Sequence, residues 1–192
     1  MQLEAGNLYH IYNRGNNRQP IFFDHNNYLY FITKMRRYLL PVCNILAYTL
    51  MPNHFHFLIE ADERSVEMIT NTGLQKSAFS EAIRIMLSGY TKGINKEQGF
   101  TGNLIQQKTK AKLLTNKPVS DATCSYASLF FHYIHQNAYR AQLVSCMEDW
   151  IYSSFRDYVG LRNGTLCHKE RAMEILGFRI CDFYGGELYC HP

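Results

Sequence analysis

Two periodicities of hydrophobic and polar residues alternate along the chain. Segments such as 8–13 alternate every second residue and are rich in aromatic and β-branched side chains, which is typical of strands. Longer segments repeat at helical spacing, and the first of them follows Asp24, a good N-cap residue, and is stopped by Pro41. The pattern predicts, in order, a strand over 8–13, a helix over 24–40, strands over 42–50 and 53–60, a helix over 74–94, a strand over 108–114 and a helix over 125–137.

The order of these elements predicts an α+β fold. The first six are strand, helix, strand, strand, helix and strand, which is the ferredoxin-like split βαβ arrangement, an antiparallel sheet with helices on one face. The connection over 51–53 is so short that the second and third strands should form an antiparallel hairpin. A Gly-rich polar stretch over 95–103 is predicted to be a mobile loop.

The seventh element and the segment after it are additions to this core. We expect one domain over 1–138, which includes the helix over 125–137, and a C-terminal extension over 139–192. The extension contains Trp150, the only tryptophan, and a short helix predicted over 169–177. We expect it to pack back on the first domain, because its aromatic side chains would otherwise lie exposed to water.

Composition narrows the class of protein. Of 192 residues, 46% are hydrophobic and 14% aromatic, which is enough for a core and excludes a disordered chain. The net charge of +4 permits binding to nucleic acid without requiring it. No apolar run reaches the ~20 residues that span a bilayer, and the start lacks a secretory signal. We therefore expect a soluble, cytoplasmic protein with no membrane partner.

The six cysteines include no Cys-x-x-Cys pair. Reduced thiols in a cytosolic protein are the simplest interpretation. A zinc site built from Cys167, His168, Cys181, Cys190 and His191 is an alternative, but the spacing matches no standard zinc pattern.

Two histidines one residue apart, His54 and His56, lie in the predicted strand over 53–60. Because side chains alternate faces along a strand, both project to one side, roughly 6.5–7 Å apart at the backbone. Two imidazoles so placed can bind one divalent cation. Two polar residues on a solvated strand face are the alternative.

The helix over 125–137 supplies further candidate chemistry. One apolar stripe of this helix should face the core, and it consists of Ala127, Phe130, Phe131 and Ile134. Tyr133 and Asn137 lie on its flank, four residues apart and therefore neighbours on the helix surface. A helix lying across the open face of the sheet would bring them over the histidine pair, with Asn137 as a third metal ligand.

These residue types suit metal-assisted attack on a phosphodiester. A phenol is a weak nucleophile at neutral pH and becomes useful when a metal polarises the phosphoryl group. Neutral imidazoles and an amide leave the cation Lewis-acidic, and we expect Mg²⁺ or Mn²⁺. Attack by Tyr133 would give a phosphotyrosine that conserves the bond energy, so a second strand can be joined without ATP.

Four stretches carry a family resemblance: YHIYNRGNNRQPIF (9–22), MPNHFHFLIE (51–60), YIHQNAYRAQLV (133–144) and DWIYSSFRDYVG (149–160). With them the chain resembles the REP-associated tyrosine transposases, single-tyrosine members of the HUH superfamily. The resemblance implies that His54, His56 and Asn137 bind the metal and that Tyr133 is the nucleophile. It also implies a single-stranded DNA substrate, often beside a small hairpin, and a 5′-phosphotyrosine intermediate with a free 3′-hydroxyl.

Basic and polar residues near these motifs are candidates for DNA binding. We expect Arg14 and Arg18 to contact the phosphate backbone, which dominates affinity for DNA, and include Asn13, Lys108 and Lys110 with them.

Two other functions stay open at this point. One is a domesticated nucleic-acid-binding module that has lost turnover, and the other is a metal phosphoesterase that uses water, in which Tyr133 only packs. Whether the protein is a monomer or a homodimer is undecided by the sequence.

Overall fold

The computed structural model describes residues 1–71, 74–115 and 125–177. Its centre is a four-stranded antiparallel sheet formed by β1 (Leu8–Arg14), β2 (Asn44–Met51), β3 (His54–Glu60) and β6 (Lys110–Leu113). These strands lie in the order β2-β3-β1-β6. This strand order confirms the ferredoxin-like α+β fold predicted from the sequence.

Helices and one further hairpin surround the sheet. The hairpin pairs β4 (Met68–Asn71) with β5 (Leu74–Ser77). The helices are α1 (His25–Tyr38), α2 (Glu63–Val66), α3 (Ala78–Gln98), α4 (Tyr126–Arg140), α5 (Phe155–Tyr158) and α6 (Lys169–Leu176). Within the described ranges, none of them has the length and apolarity to cross a membrane.

One face of the sheet is covered by α1 and α3, which pack against each other. The predicted N-cap of α1 is confirmed, because the Asp24 side chain accepts a hydrogen bond from the Asn27 amide at 2.9 Å. Phe31 of α1 is fully buried against Phe55 and Phe57 of β3, at ring-centroid distances of 5.4 and 6.3 Å. Burial of these rings fixes which face of β3 points inward, and thus sends the histidines to the opposite face.

The prediction that the second helix begins at residue 74 is wrong. Leu74–Ser77 is the strand β5, and α3 begins only after it. The reason is local: the Ser77 side chain accepts a hydrogen bond from the Ser80 amide, which is the N-cap geometry, so the residues before it are free to pair with β4.

The end of α3 also differs from the prediction of a loop over 95–103. The helix continues to Gln98 and ends at Gly99, which has a φ of 68° in the left-handed region. Glycine takes this conformation without strain, and the Gly99 amide closes the last turn by donating to the Asn95 carbonyl.

The helix α4 lies on the other face of the sheet, against β2 and β3. Its buried stripe includes Ala127, Phe131 and Ile134, as the helical spacing predicts, whereas Phe130 is only partly buried. The helix runs three residues beyond its predicted end at 137, to Arg140. Because α4 packs on this side of the sheet, it crosses the face that carries the histidine pair.

Residues 147–176 run along the outer edge of β2 and back to the sheet. The Trp150 Nε1–H donates to the Leu50 carbonyl at 3.1 Å, and the Ser154 amide donates to the Tyr48 carbonyl at 3.0 Å. Arg171 of α6 is paired with Glu60 at 2.6 Å. The division into a domain over 1–138 and an extension over 139–192 stays a prediction. Three members of the suggested zinc set lie outside the described residues: Cys181, Cys190 and His191.

Candidate active site

The face of the central strands that α4 crosses gathers imidazole and phenol rings. Because β1 pairs with β3 in the register Tyr12↔His56 and Arg14↔His54, the two strands present these side chains on one face. His10 belongs to the same face of β1. Its ring stacks on Tyr12 with centroids 4.7 Å apart, and its centroid lies 4.9 Å from that of His56.

Tyr133 of α4 reaches this face. Its ring stands edge-on to His56, with centroids 5.7 Å apart, and to His10 at 6.3 Å. The side chain is 37% exposed, so the ring is held at the rim of the site and not inside the core. Phe130, one turn before it, contacts both Tyr133 at 5.7 Å and His10 at 5.0 Å and thereby fixes the distance between helix and sheet.

The two strand histidines have different hydrogen-bond partners. His54 and His56 lie with ring centroids 5.0 Å apart at 88°. The Nδ1 atom of His54 lies 2.6 Å from Oδ1 of Asn53, and Nδ1 of His56 lies 2.7 Å from Nε2 of His10. The Nε2 atom of His56 is buried and has no hydrogen-bond partner among the described residues. A buried polar atom without a partner is costly and is typical of a binding or catalytic site.

Burial keeps these imidazoles neutral at physiological pH. It lowers the pKa of His56 to about 2, helped by the nearby His10, His54 and Arg14. The pKa of His54 falls to about 4 by burial and the charge of Arg14, and that of His10 to about 4 by burial and the charge of Lys112. Neutral imidazoles keep a free nitrogen lone pair, which is the form that binds metals.

The rings line one wall of a cavity of about 560 Å³, a volume that suits a small ligand or a nucleotide. Of the described residues, those lining the cavity include no carboxylate and four cations, Arg14, Lys108, Lys110 and Lys112. Two lysine ammonium groups lie over aromatic rings: Lys112 over Phe130 at 4.7 Å, and Lys110 over Tyr12 at 5.8 Å. Such a cavity favours an anionic ligand.

Most of the site residues predicted from the sequence line this cavity: His54, His56, Tyr133, Asn13, Arg14, Lys108 and Lys110. Asn13 is buried and already donates its amide protons to the Gln106 carbonyl at 2.8 Å and to Thr109 Oγ1 at 2.9 Å. It therefore orders the segment that carries Lys108.

Asn137 and Arg18 do not line the cavity. The Asn137 Nδ2 donates to the Tyr133 carbonyl at 2.7 Å, so the amide is folded back on its own helix. Arg18 is exposed in the loop after β1, where its carbonyl accepts a hydrogen bond from Asn53 Nδ2 at 3.1 Å. The roles expected of both residues stay predictions.

The loop after β1 packs closely on the β2–β3 turn. The Gly15 amide donates to the Asn53 carbonyl at 2.8 Å, and the Ile21 amide donates to the Pro52 carbonyl at 2.8 Å. A Cβ atom on Gly15 would lie 2.1 Å from the Gln19 carbonyl oxygen, so only glycine fits here. The first motif thus holds Asn53 beside His54.

The donor set fits a divalent metal. Within the described part of the chain, no three His, Cys, Asp or Glu side chains are grouped as a metal site. The unpartnered Nε2 of His56 and the adjacent neutral His54 nevertheless offer two nitrogen ligands at the wall of an anion-accepting cavity. A cation bound there would complete its sphere with oxygen atoms from an amide, water or phosphate, as Mg²⁺ and Mn²⁺ prefer.

The sequence pattern alone assigns no role to His10 or Asn53. The alternation of β1 already places His10 and Tyr12 on one side of that strand. Their closeness to His56 depends on the pairing of β1 with β3, which joins segments more than forty residues apart. Asn53 was quoted in a motif, but a hydrogen bond to its neighbour leaves no pattern in the sequence.

Comparison with known proteins gives a match to solved structures. No protein-family model matches the chain, and no curated protein matches it either. Among solved structures, the chain is similar to a REP-associated tyrosine transposase bound to a REP hairpin. The match has 16% sequence identity and a TM-score of 0.58, and it covers 86% of this chain and 87% of the other. At this identity the likeness establishes the fold.

Proposed function

We propose that this protein is a metal-dependent transesterase for single-stranded DNA, which cleaves and rejoins strands at or near hairpins through a covalent 5′-phosphotyrosine. The proposal extends the resemblance of the four motifs, and it agrees with the fold of a structure that was determined with a REP hairpin. The polarity of the covalent bond rests on the resemblance.

One observation carries the proposal. The hydroxyl-bearing ring of Tyr133 lies with its centroid 5.7 Å from the ring of His56, whose buried Nε2 has no hydrogen-bond partner in the described part of the chain. The side chains of Tyr133 and His56 line one cavity. This is the arrangement that nucleophilic attack on a metal-bound phosphodiester requires.

In this reaction Tyr133 supplies the nucleophile and the histidines supply metal ligands. When bound by His54 and His56, Mg²⁺ or Mn²⁺ would polarise a phosphoryl oxygen and stabilise the charge that develops on it. The Tyr133 oxygen forms a bond to phosphorus as the bond from phosphorus to the 3′ oxygen breaks. The phenol loses its proton, and the departing 3′ oxygen gains one. Attack by a second 3′-hydroxyl reverses these steps and rejoins the strand.

The cations around the cavity account for substrate binding. Arg14, Lys108, Lys110 and Lys112 meet no carboxylate among the described residues of the lining, so their charge is available to phosphates. Tyr12 offers an aromatic face on which an unpaired base can stack. Lysine charge and a stacking ring together suit single-stranded nucleic acid.

A second candidate function is a nucleic-acid-binding module without turnover. The observation in its favour is Asn137, whose amide is bonded to the Tyr133 carbonyl and does not line the cavity. Such a module would bind hairpin oligonucleotides and leave them uncut at any concentration of metal.

The decisive experiment is to trap a covalent adduct on a panel of single-stranded hairpin oligonucleotides, with and without Mn²⁺. The proposal expects a protein–DNA adduct that needs metal and maps to Tyr133 by mass spectrometry. Binding without cleavage would favour the module, and cleavage without an adduct would favour a phosphoesterase that uses water.

A further inference from the structure

The histidine pair is held by two neighbouring side chains with no assigned role, His10 and Asn53. Each contacts the Nδ1 atom of one histidine, at 2.7 Å for His10 with His56 and at 2.6 Å for Asn53 with His54. Both contacts use the Nδ1 atoms, and the Nε2 atom of His56 has no hydrogen-bond partner among the described residues. In a metal-binding histidine, the ring nitrogen that does not bind the metal forms a hydrogen bond with a neighbouring group. This bond fixes which nitrogen carries the proton, and so which one can bind the metal.

At His54 the hydrogen-bond directions follow from the amide of Asn53. The Nδ2 of Asn53 donates to the Arg18 carbonyl at 3.1 Å, which leaves Oδ1 facing His54. An amide oxygen can only accept, so Nδ1 of His54 carries the proton. Nε2 of His54 then has no proton and carries a free lone pair. The close packing of Gly15 on the Asn53 carbonyl keeps this turn in place.

At His56 two arrangements are possible in principle, because either ring of the pair can donate. If His10 donated, Nε2 of His56 would carry a proton, buried and without an acceptor among the described residues. If His56 donates, its Nε2 keeps a lone pair and its Nδ1–H is satisfied by Nε2 of His10 at 2.7 Å. Only the second arrangement gives a metal ligand.

We infer that His10 and Asn53 are positioning residues that hold His56 and His54 as Nδ1–H tautomers, so that both Nε2 atoms are preset for a divalent cation. This inference rests on the proposed metal site. The ring of His10 itself packs against Tyr12 and Phe130, at centroid distances of 4.7 and 5.0 Å, which restricts its movement so that it can orient His56.

The test reads the tautomers directly in the metal-free protein. Two-bond correlation of ring protons and nitrogens in ¹⁵N-histidine-labelled protein is expected to show single Nδ1–H tautomers for His54 and His56. In His10→Phe, which removes the acceptor, His56 should lose this single tautomer, while His10→Gln should restore it through its amide oxygen. An Nε2–H tautomer at His56 in the wild type would overturn the inference.

Binding of Mn²⁺ gives a second readout, by calorimetry. Loss of an outer partner typically weakens metal binding by about 10- to 100-fold, and we expect this for His10→Phe with recovery in His10→Gln. Asn53→Leu and Asn53→Asp form the matching pair at His54, because Asp keeps an oxygen acceptor. Unchanged affinity and tautomers in both His10→Phe and Asn53→Leu would overturn the inference.

These readouts separate the inference from the proposed function. Wild-type protein that binds no Mn²⁺ but shows both Nδ1–H tautomers would refute the metal site while the tautomer assignment stands. Because His10 is buried, His10→Phe is checked by thermal unfolding, and the half-exposed Asn53 gives variants that do not depend on the core.

Discussion

The ring of Tyr133 stands at 77° to the imidazole of His56, with centroids 5.7 Å apart, although the two residues lie on elements 77 positions apart in the chain. Packing of α4 on β2 and β3 produces this relationship, with Phe130 as the spacer. Tyr133 itself is 37% exposed and adds little to the core. Its placement is therefore more readily explained by chemistry than by stability.

Replacing Tyr133 with Phe is predicted to abolish cleavage and covalent adduct while preserving affinity for DNA. The substitution removes one oxygen atom from a partly exposed ring, so the thermal midpoint should stay near that of the wild type. Tyr139→Phe is the matched control, since Tyr139 is on the same helix, is 44% exposed and does not line the cavity. Cleavage that survives in Tyr133→Phe would exclude a tyrosine nucleophile.

Replacing His54 with Ala is predicted to weaken Mn²⁺ binding and abolish cleavage at little cost in stability, because His54 is only partly buried. His56→Ala should also lose metal binding but lower the thermal midpoint, since His56 is buried and bonded to His10. Calorimetric titration with Mn²⁺ and thermal unfolding measure both effects. His25→Ala, an exposed histidine bonded to Tyr152, is the control. Equal Mn²⁺ affinity in all four proteins would show that the imidazoles are structural.

Removing a cavity lysine is predicted to weaken binding to single-stranded DNA and to reduce its dependence on salt. The slope of the logarithm of the DNA-binding constant against the logarithm of salt concentration should decrease in magnitude by about 0.7 in Lys108→Ala and by the same amount in Lys110→Ala. This is the value for one phosphate contact on a single strand. Fluorescence anisotropy over a salt series measures the slope. Arg37→Ala on α1 is the control, because Arg37 lies against Tyr38 and does not line the cavity. Unchanged slopes in both variants would show that the phosphates of the DNA do not contact these lysines.

The sequence predicts the sheet and also the contact between α4, which carries Tyr133, and β3, which carries the two histidines. Both features depend on short-range periodicity. Alternation in β3 fixes His54 and His56 on one face once Phe55 and Phe57 enter the core. Helical spacing in α4 likewise places Tyr133 beside the buried stripe. Local patterns of this kind leave few ways to arrange the layers.

Features that depend on pairing between distant segments were missed. The strand β5 was predicted as helix because four residues carry too little periodicity to reveal their pairing with β4. For His10 the sequence predicts only a position in a strand, because its contact with His56 joins residues 46 positions apart. The direction of the Asn137 amide depends on competition between the helix carbonyl and the site, which sequence spacing does not resolve.

A buried histidine away from the cavity predicts how stability changes with pH. His135 is 2% exposed and its Nε2 lies 2.7 Å from Ser154 Oγ. Burial lowers its pKa to about 3, with a smaller contribution from His132. The unfolded chain, with an ordinary histidine pKa near 6.5, binds the proton first, so acidification below pH 6.5 favours unfolding. The stability is complete above pH 6.5 and is lost as the pH falls toward 3.

Urea unfolding at pH 7.5 and pH 5.0 measures this effect in the wild type and in His135→Gln. The wild type should lose about 2 kcal/mol more of its unfolding free energy between the two pH values than the variant does, which is the linkage expected for one histidine that titrates only when unfolded. The comparison uses the difference between pH values, so a constant cost of the substitution cancels. Equal losses in the two proteins would mean that His135 takes up its proton in the folded state, through local opening between α4 and Ser154.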